Sequence, residues 1–297
     1  MSPKLSSLLG AAIAVAIAVL MAFAGSQGGV SVAAIPVFAF CGILAFNIQW
    51  LLFAPAYVYQ TERYYDLTGS LTYITLAVVA LGLSGTREPG SLLLAAMVCV
   101  WALRLGSFLF IRILQDGADS RFEKIKPDAA RFFMTWTLQG LWVFVTFAAG
   151  LAALTSGEPH PLDAWALAGG LMWVLGFMIE VTADRQKRRF RSIAANREKF
   201  IQLGLWRWSR HPNYLGEILL WSGVAVVAFP VLSGWQYLTL VSPLFVYLLL
   251  TQVSGVVLLE AKARRRWGED PDYQEYLRRT PVLWPTFGVH KQGSQER

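Results

Sequence analysis

Polar and apolar positions in this chain do not alternate; they separate into long blocks. Eight apolar stretches stand out, at about 7–25, 31–56, 70–85, 91–114, 132–155, 162–183, 212–233 and 237–260. A helix rising about 1.5 Å per residue needs roughly 20 apolar residues to cross about 30 Å of hydrocarbon. All but 70–85 come close to that length or exceed it, and 70–85 can borrow from its flanks. The pattern predicts an all-α polytopic membrane protein, a bundle of seven or eight transmembrane helices. The first stretch follows Lys4 as a signal core would. It is longer than such cores usually are, so it reads as a retained first span.

Composition supports the same class. The chain has 297 residues, 55% hydrophobic and only 15% charged, whereas soluble domains carry about 25% charged residues. The net charge of +7 changes the picture through its placement. Arg121, Lys124, Lys126 and Arg131 fall between the fourth and fifth stretches. A denser run from Arg185 to Arg210 follows the sixth, and Lys262, Arg264, Arg265, Arg266, Arg278 and Arg279 follow the eighth. The connections 156–161 and 233–236 carry no Lys or Arg. Alternate basic loops place both termini in the cytoplasm by the positive-inside rule, and put Gln60–Asp66 on the same side. Topology accounts for the charge, so no nucleic-acid partner is implied. Cys41 and Cys99 lie inside apolar blocks and read as small buried hydrophobes. His160, His211 and His290 lack ligand spacing, so no metal site is expected. Residues 267–281 read as a turn, a short helix started by Asp270 or Asp272, and a proline stop. Residues 288–297 read as a polar tail after a single domain at 1–287.

Four groups of residues carry candidate chemistry. Glu180, Asp184, Arg188 and Arg191 are spaced four, four and three apart, hence on one helical face. Arginines there suit bidentate contact with phosphate, although ordinary membrane anchoring also places basic residues at such a position. Arg207–Glu217 runs from a basic turn straight into an apolar helix. Pro212 suits the first helical position, and the free amides of that end, beside Arg210 and His211, favour an anion. Asn213 and Glu217 lie one turn apart at the membrane boundary, where Glu217 needs a donor or a cation such as Arg210 or Arg207. Arg104, deep in the fourth stretch, costs about 2.5–3.5 kcal/mol on insertion scales and calls for a partner. Finally, Glu62 and Asp66 stand four apart in a segment rich in tyrosine. A buried glutamate with raised pKa can donate a proton, and a tyrosine beside it can polarise a carbonyl.

Ser209-Arg-His-Pro-Asn-Tyr-Leu-Gly-Glu217, followed by Ile218-Leu-Leu-Trp-Ser-Gly223, resembles the C-terminal signature of the steroid 5α-reductase family, closest to its bacterial DUF1295-type members. Arg266-Trp-Gly-Glu-Asp-Pro271, with Tyr273, Tyr276, Arg279-Thr-Pro281 and Pro285, is similar to that family's ending. Glu62–Tyr73 resembles the N-terminal part of the bacterial members. The resemblance covers about 50–287.

The resemblance implies a cytoplasmic pocket for NADPH in a bacterial inner-membrane protein. Asn213 and Glu217 would hold the nicotinamide end, with Arg210, His211 and Tyr214 beside them. Glu180, Asp184, Arg188 and Arg191 would hold the adenosine and phosphate portions, and Tyr273, Tyr276 and the Arg264–Arg266 run, Arg265 included, would close over it. Glu62 would be the proton donor or oxyanion stabiliser for a lipophilic enone taken from the membrane lipid phase. The steroid enzymes' partner tyrosine has no counterpart at Phe108, which leaves Tyr65 or Tyr73 for that role. The wider superfamily also contains S-adenosylmethionine-dependent isoprenylcysteine and phospholipid methyltransferases, the alternative reading.

Overall fold

The computed structural model describes residues 2–119 and 121–285; the polar tail at 288–297 and His290 lie outside them. The described chain is mostly helical, with connecting loops and one hairpin of two-residue strands, and it gathers into two compact units. Among the described residues, unit 1 comprises those up to 173 and 221–246, and unit 2 those at 174–220 and 247–285.

In unit 1, α1 (Pro3–Gly25) opens on a Ser2 cap that accepts from the Leu5 amide. The second apolar stretch begins later than its composition suggests, because β1 (Ser31–Val32) and β2 (Ile35–Pro36) form a hairpin first. Its two turn residues, Ala33 and Ala34, have φ of 49° and 64°, the positive values a two-residue turn needs to match strand twist. Pro36 then caps α2 (Val37–Val58). Next come α3 (Tyr65–Ser84), which takes five residues from its polar flank, and α4 (Pro89–Asp116). The stretch at 132–155 is not one straight span: α5 (Ala129–Thr146) and α6 (Ala148–Leu154) meet at a 56° bend. Every residue of α6 is buried.

The unit 1 core is aromatic. Tyr73, Trp101, Phe147 and Trp221 enclose one another, with Trp101 and Trp221 4.9 Å apart at 79°. Such edge-to-face pairs add about 0.5–1.5 kcal/mol each beyond area burial. His160, 1% exposed, pins the connection after α6. Its Nε2 lies 3.0 Å from the Val227 carbonyl and its Nδ1 3.3 Å from Ser91 Oγ, so Nε2 donates and Nδ1 accepts.

The sixth stretch becomes α7 (Ala164–Ser192), which continues nine residues past the apolar block into the basic loop, and α8 (Pro212–Ala228) follows. The last apolar segment, Gly234–Trp267, changes its winding along its length. A 3-10 turn at Gly234–Val241 leads to α9 (Ser242–Leu248), a π turn at Leu249–Val253 and α10 (Gly255–Trp267). The last helix, α11 (Pro271–Arg279), starts where the sequence places it, with the Asp272 amide donating to the Asp270 carboxylate at 2.9 Å. Among the described residues, seven helices are long and apolar enough to span a membrane, eight with the bent α5–α6 pair. The chain is an integral membrane protein.

Glycines set the approach of α7 to α8. Within unit 2, a Cβ on Gly176 would meet the Gly216 carbonyl oxygen at 2.6 Å, and one on Gly216 would meet the Glu180 amide at 2.6 Å. Within unit 1, Gly169 and the Gly223 carbonyl repeat the arrangement at 2.6 Å. Small residues let helix backbones touch in this way where no water drives association.

Candidate functional site

Unit 2 contains a cavity of about 370 Å³ whose wall is made by four sequence segments. Lys187, Phe190 and Arg191 come from the end of α7, and Arg197, Lys199, Phe200 and Ile201 from the loop after it. Trp206, Arg210 and His211 precede α8, while Glu260, Lys262, Arg266 and Trp267 belong to α10 and its end, and Tyr273 and Tyr276 to α11. Seven of these side chains are Lys or Arg and one, Glu260, is a carboxylate. Water-excluding walls concentrate such a field, so the cavity is built to attract anions.

Local structure explains how the wall is held. The Arg210 and His211 amides donate to the carbonyls of Pro281 (2.9 Å) and Val282 (3.2 Å), fastening the turn before α8 to the chain after α11. Tyr276 donates from its hydroxyl to the Trp206 carbonyl at 2.7 Å, and the Trp206 indole donates to the Ala183 carbonyl at 3.0 Å. Lys187 sits 4.6 Å from the Trp206 ring centre, a cation–π contact. Phe200 packs against Tyr273 at 5.1 Å, Tyr276 at 5.5 Å and Trp267 at 5.9 Å. Burial pushes the Tyr273 and Tyr276 hydroxyls above their ordinary range, so they stay protonated. A flat, apolar, rigid wall thus faces a ring of cations.

Glu260 neutralises part of that ring. Its carboxylate lies 2.9 Å from Arg210 and 3.3 Å from His211 Nε2. Burial pushes His211 below the ordinary histidine range, and the Glu260 carboxylate only partly restores it; the ring is neutral at pH 7. Two buried atoms of this wall, Arg210 Nε and His211 Nδ1, have no hydrogen-bond partner among the described residues. Buried polar atoms in native structures are seldom left so, and both suit a polar ligand.

Of the twelve cofactor residues expected from sequence, Arg191, Arg210, His211, Tyr273 and Tyr276 line the cavity. Glu180 (2% exposed) and Asp184 (9%) are buried on α7, Glu180 against Gly216 of α8. Asn213, Tyr214 and Glu217 occupy the first turns of α8, with the Tyr214 ring stacked on His211 at 5.6 Å and 8°. Arg188 and Arg265 are exposed and lie outside the lining. The sequence missed Glu260. Its signal was present, because a carboxylate within a spanning segment needs a partner or a use. Lys187, Lys199, Phe200 and Trp206 carried no signal beyond topology.

In unit 1 the expected catalytic residues do not form one cluster. Glu62 lies in the loop ahead of α3, not on a helical face with Asp66, because that helix starts only at Tyr65. It is 6% exposed, ion-paired with Lys126, and accepts from the Asp119 amide at 2.9 Å. Burial alone would raise its pKa; the Lys126 ammonium and the backbone donors outweigh that and hold it below the ordinary glutamate range. Glu62 is therefore held as a carboxylate, where a proton donor would have a raised pKa. Tyr65 commits its hydroxyl to the Thr135 carbonyl at 3.0 Å and packs its ring on Phe122 and Trp136. Tyr73 sits eight residues further along α3, about 12 Å away along the axis, in the aromatic core. Asp66 faces Arg112 at 3.7 Å, and the Arg104 guanidinium lies 5.2 Å from the Phe108 ring centre. No metal-binding cluster occurs among the described residues.

The model of the family described as "Protein of unknown function (DUF1295)" matches residues 52–280. The chain is 28% identical over 75 residues to 3-oxo-5-alpha-steroid 4-dehydrogenase 1 of Bos taurus, covering 25% of this chain and 29% of that protein. It is 26% identical over 119 residues to the Rattus norvegicus protein of the same name, 40% of each. These matches span between 29% and 40% of the relatives' lengths. No solved structure matches. The cavity's segments, the α7 face and Glu62 all fall within the matched range, and the chain belongs to the DUF1295 family of steroid 5α-reductase-like membrane proteins.

Proposed function

We propose that the protein is a membrane-embedded, NADPH-dependent reductase of an activated C=C bond in a lipophilic, steroid-like or isoprenoid enone. The observation that carries this reading is the cationic, aromatic-walled cavity of unit 2. At about 370 Å³ it is near the lower end of small-molecule sites, about 300–1,000 Å³, and suits the adenosine and phosphate half of a dinucleotide. Phe200, Trp267, Tyr273 and Tyr276 offer a face for a base, and Arg191, Arg210, Lys199 and Arg266 offer charge for phosphates. NADPH, when bound, would supply hydride to the β-carbon of the enone. Asn213 and Glu217, on the first turns of α8, are assigned to the nicotinamide end by resemblance, and buried Glu180 and Asp184 fix the α7 face beside them.

The proton-donor or oxyanion role that resemblance gives Glu62 becomes a role for the Glu62–Lys126 pair. Lys126, held by the Glu62 carboxylate, would be the N–H donor to a developing enolate oxygen. Basic loops support a cytoplasmic cofactor site and a substrate entering from the bilayer. We treat the two units as one functional domain, since the family match runs through both.

The test is binding in detergent. NADPH should bind more tightly than NADH, and Arg210→Ala should weaken NADPH by about tenfold or more, as loss of a charged hydrogen bond does. Tight S-adenosylhomocysteine binding without NADPH binding would favour the methyltransferase alternative.

A further inference from the structure

One cation of the cavity's lining, Arg266, is already held by a carboxylate of the same chain. The Arg266 guanidinium pairs with Glu198 and also donates to the Arg197 carbonyl at 3.0 Å. Beside it, the Trp267 indole donates to the Glu198 carbonyl at 2.7 Å, and Phe200 sits in the aromatic wall two residues on. The loop after α7 is thereby strapped to the end of α10. Glu198 is odd in this setting. Its side chain is 86% exposed, so packing does not require it. It also puts a negative charge beside a site whose lining is otherwise cationic but for half-buried Glu260. Arg265, the neighbour expected from sequence, lies outside the lining, while Arg266 is part of it.

We propose that Arg266 is a phosphate-binding residue of this cavity and that Glu198 is its internal competitor, occupying the guanidinium until a ligand phosphate displaces it. This rests on the anion-binding reading of the cavity but not on the identity of the dinucleotide. A guanidinium fork pairs with carboxylate or phosphate in the same bidentate way, and an exposed pair is weak enough for exchange. A phosphate monoester or inorganic pyrophosphate, with more than one negative charge near neutrality, attracts the guanidinium more strongly than the single carboxylate does. Ligand arrival would then release the Glu198 side chain and leave the strap held by Trp267 and Phe200.

The experiment measures inorganic pyrophosphate and NADPH affinity for wild-type protein, Glu198→Gln and Arg266→Ala in detergent at low salt. Glu198→Gln should tighten pyrophosphate about two- to fivefold, the range an exposed ion pair supports, and Arg266→Ala should weaken it about tenfold. In the Arg266→Ala background, Glu198→Gln should then have no effect. Unchanged or weaker pyrophosphate binding by Glu198→Gln overturns the proposal, as does failure of either form to bind pyrophosphate. Pyrophosphate binding that follows this pattern without NADPH binding would keep the proposal and remove the NADPH reading instead.

Discussion

Glu62 and Lys126 are 64 residues apart in sequence and form an ion pair in unit 1, with side chains 4% and 19% exposed. The pair ties the loop before α3 to the loop before α5, and the Asp119 amide adds a second tie to the same carboxylate. Breaking a buried pair costs more than deleting it, because the remaining charge stays desolvated. Lys126→Met should therefore lower stability by about 3 kcal/mol, and adding Glu62→Gln should restore most of it. Thermal unfolding of the single and double variants in detergent measures this.

The same pair fixes a direction with pH. Glu62's folded pKa is depressed, so its stabilising contribution is complete above the unfolded glutamate value and is lost as pH falls through the folded one. Asp119, whose pKa burial would raise but Arg121 lowers further, acts in the same direction. The contribution of these two carboxylates should be flat near neutrality and fall on acidification below the ordinary carboxylate range. Lys126→Met should shrink that acid-side slope. An unchanged slope would show that Glu62 does not titrate against Lys126.

The α7–α8 contact should tolerate no side chain. A methyl at Gly216 meets backbone atoms of Glu180 and Gly176 at 2.6 Å, whereas one at Gly170 meets nothing within 4 Å. Gly216→Ala should cost about 1–3 kcal/mol, as overpacking does, and should also weaken ligand binding by shifting Glu180 against Asn213 and Glu217. Gly170→Ala should do neither. Melting temperature and NADPH affinity of the two variants separate the cases.

Much of the fold was legible in the sequence because membrane spans declare themselves by length and apolarity alone. All eight stretches became helices, and α11 with its Asp270 cap followed from a turn, an acid and a proline. The bend at Thr146–Ala148 and the π turn at Leu249–Val253 were not legible, since neither carries a proline and the single polar residues there, Thr146, Thr251 and Gln252, are ordinary within apolar spans. At the site, charge in the basic loops had two explanations, topology and phosphate binding, which a sequence cannot separate. The structure puts Arg191, Arg210 and Arg266 in the lining of a cavity and leaves Arg188 and Arg265 outside it. Glu62 illustrates the opposite limit. Its burial was foreseen, but its sign of pKa shift depended on Lys126, a partner with no sequence signature.

His160 offers a second test of the fold. Burial holds it below the ordinary histidine range, so its neutral form supports stability above the unfolded histidine pKa of about 6.5, and protonation removes that support as pH falls. His160→Phe should lose the ties to Ser91 and Val227 and cost about 1–3 kcal/mol, the penalty of unsatisfied buried groups. Calorimetry at pH 7.5 would register the loss, and a melting temperature equal to wild type would contradict it.

The central claim is that the unit 2 cavity holds the phosphate-bearing half of NADPH. The most direct measurement is equilibrium titration of the purified protein with NADPH, NADH and S-adenosylmethionine, for wild type and Arg210→Ala. The account predicts saturable NADPH binding, weaker NADH binding, no S-adenosylmethionine binding, and a loss of about tenfold for NADPH in the variant. S-adenosylmethionine binding that displaces NADPH, or NADPH affinity untouched by Arg210→Ala, would contradict it.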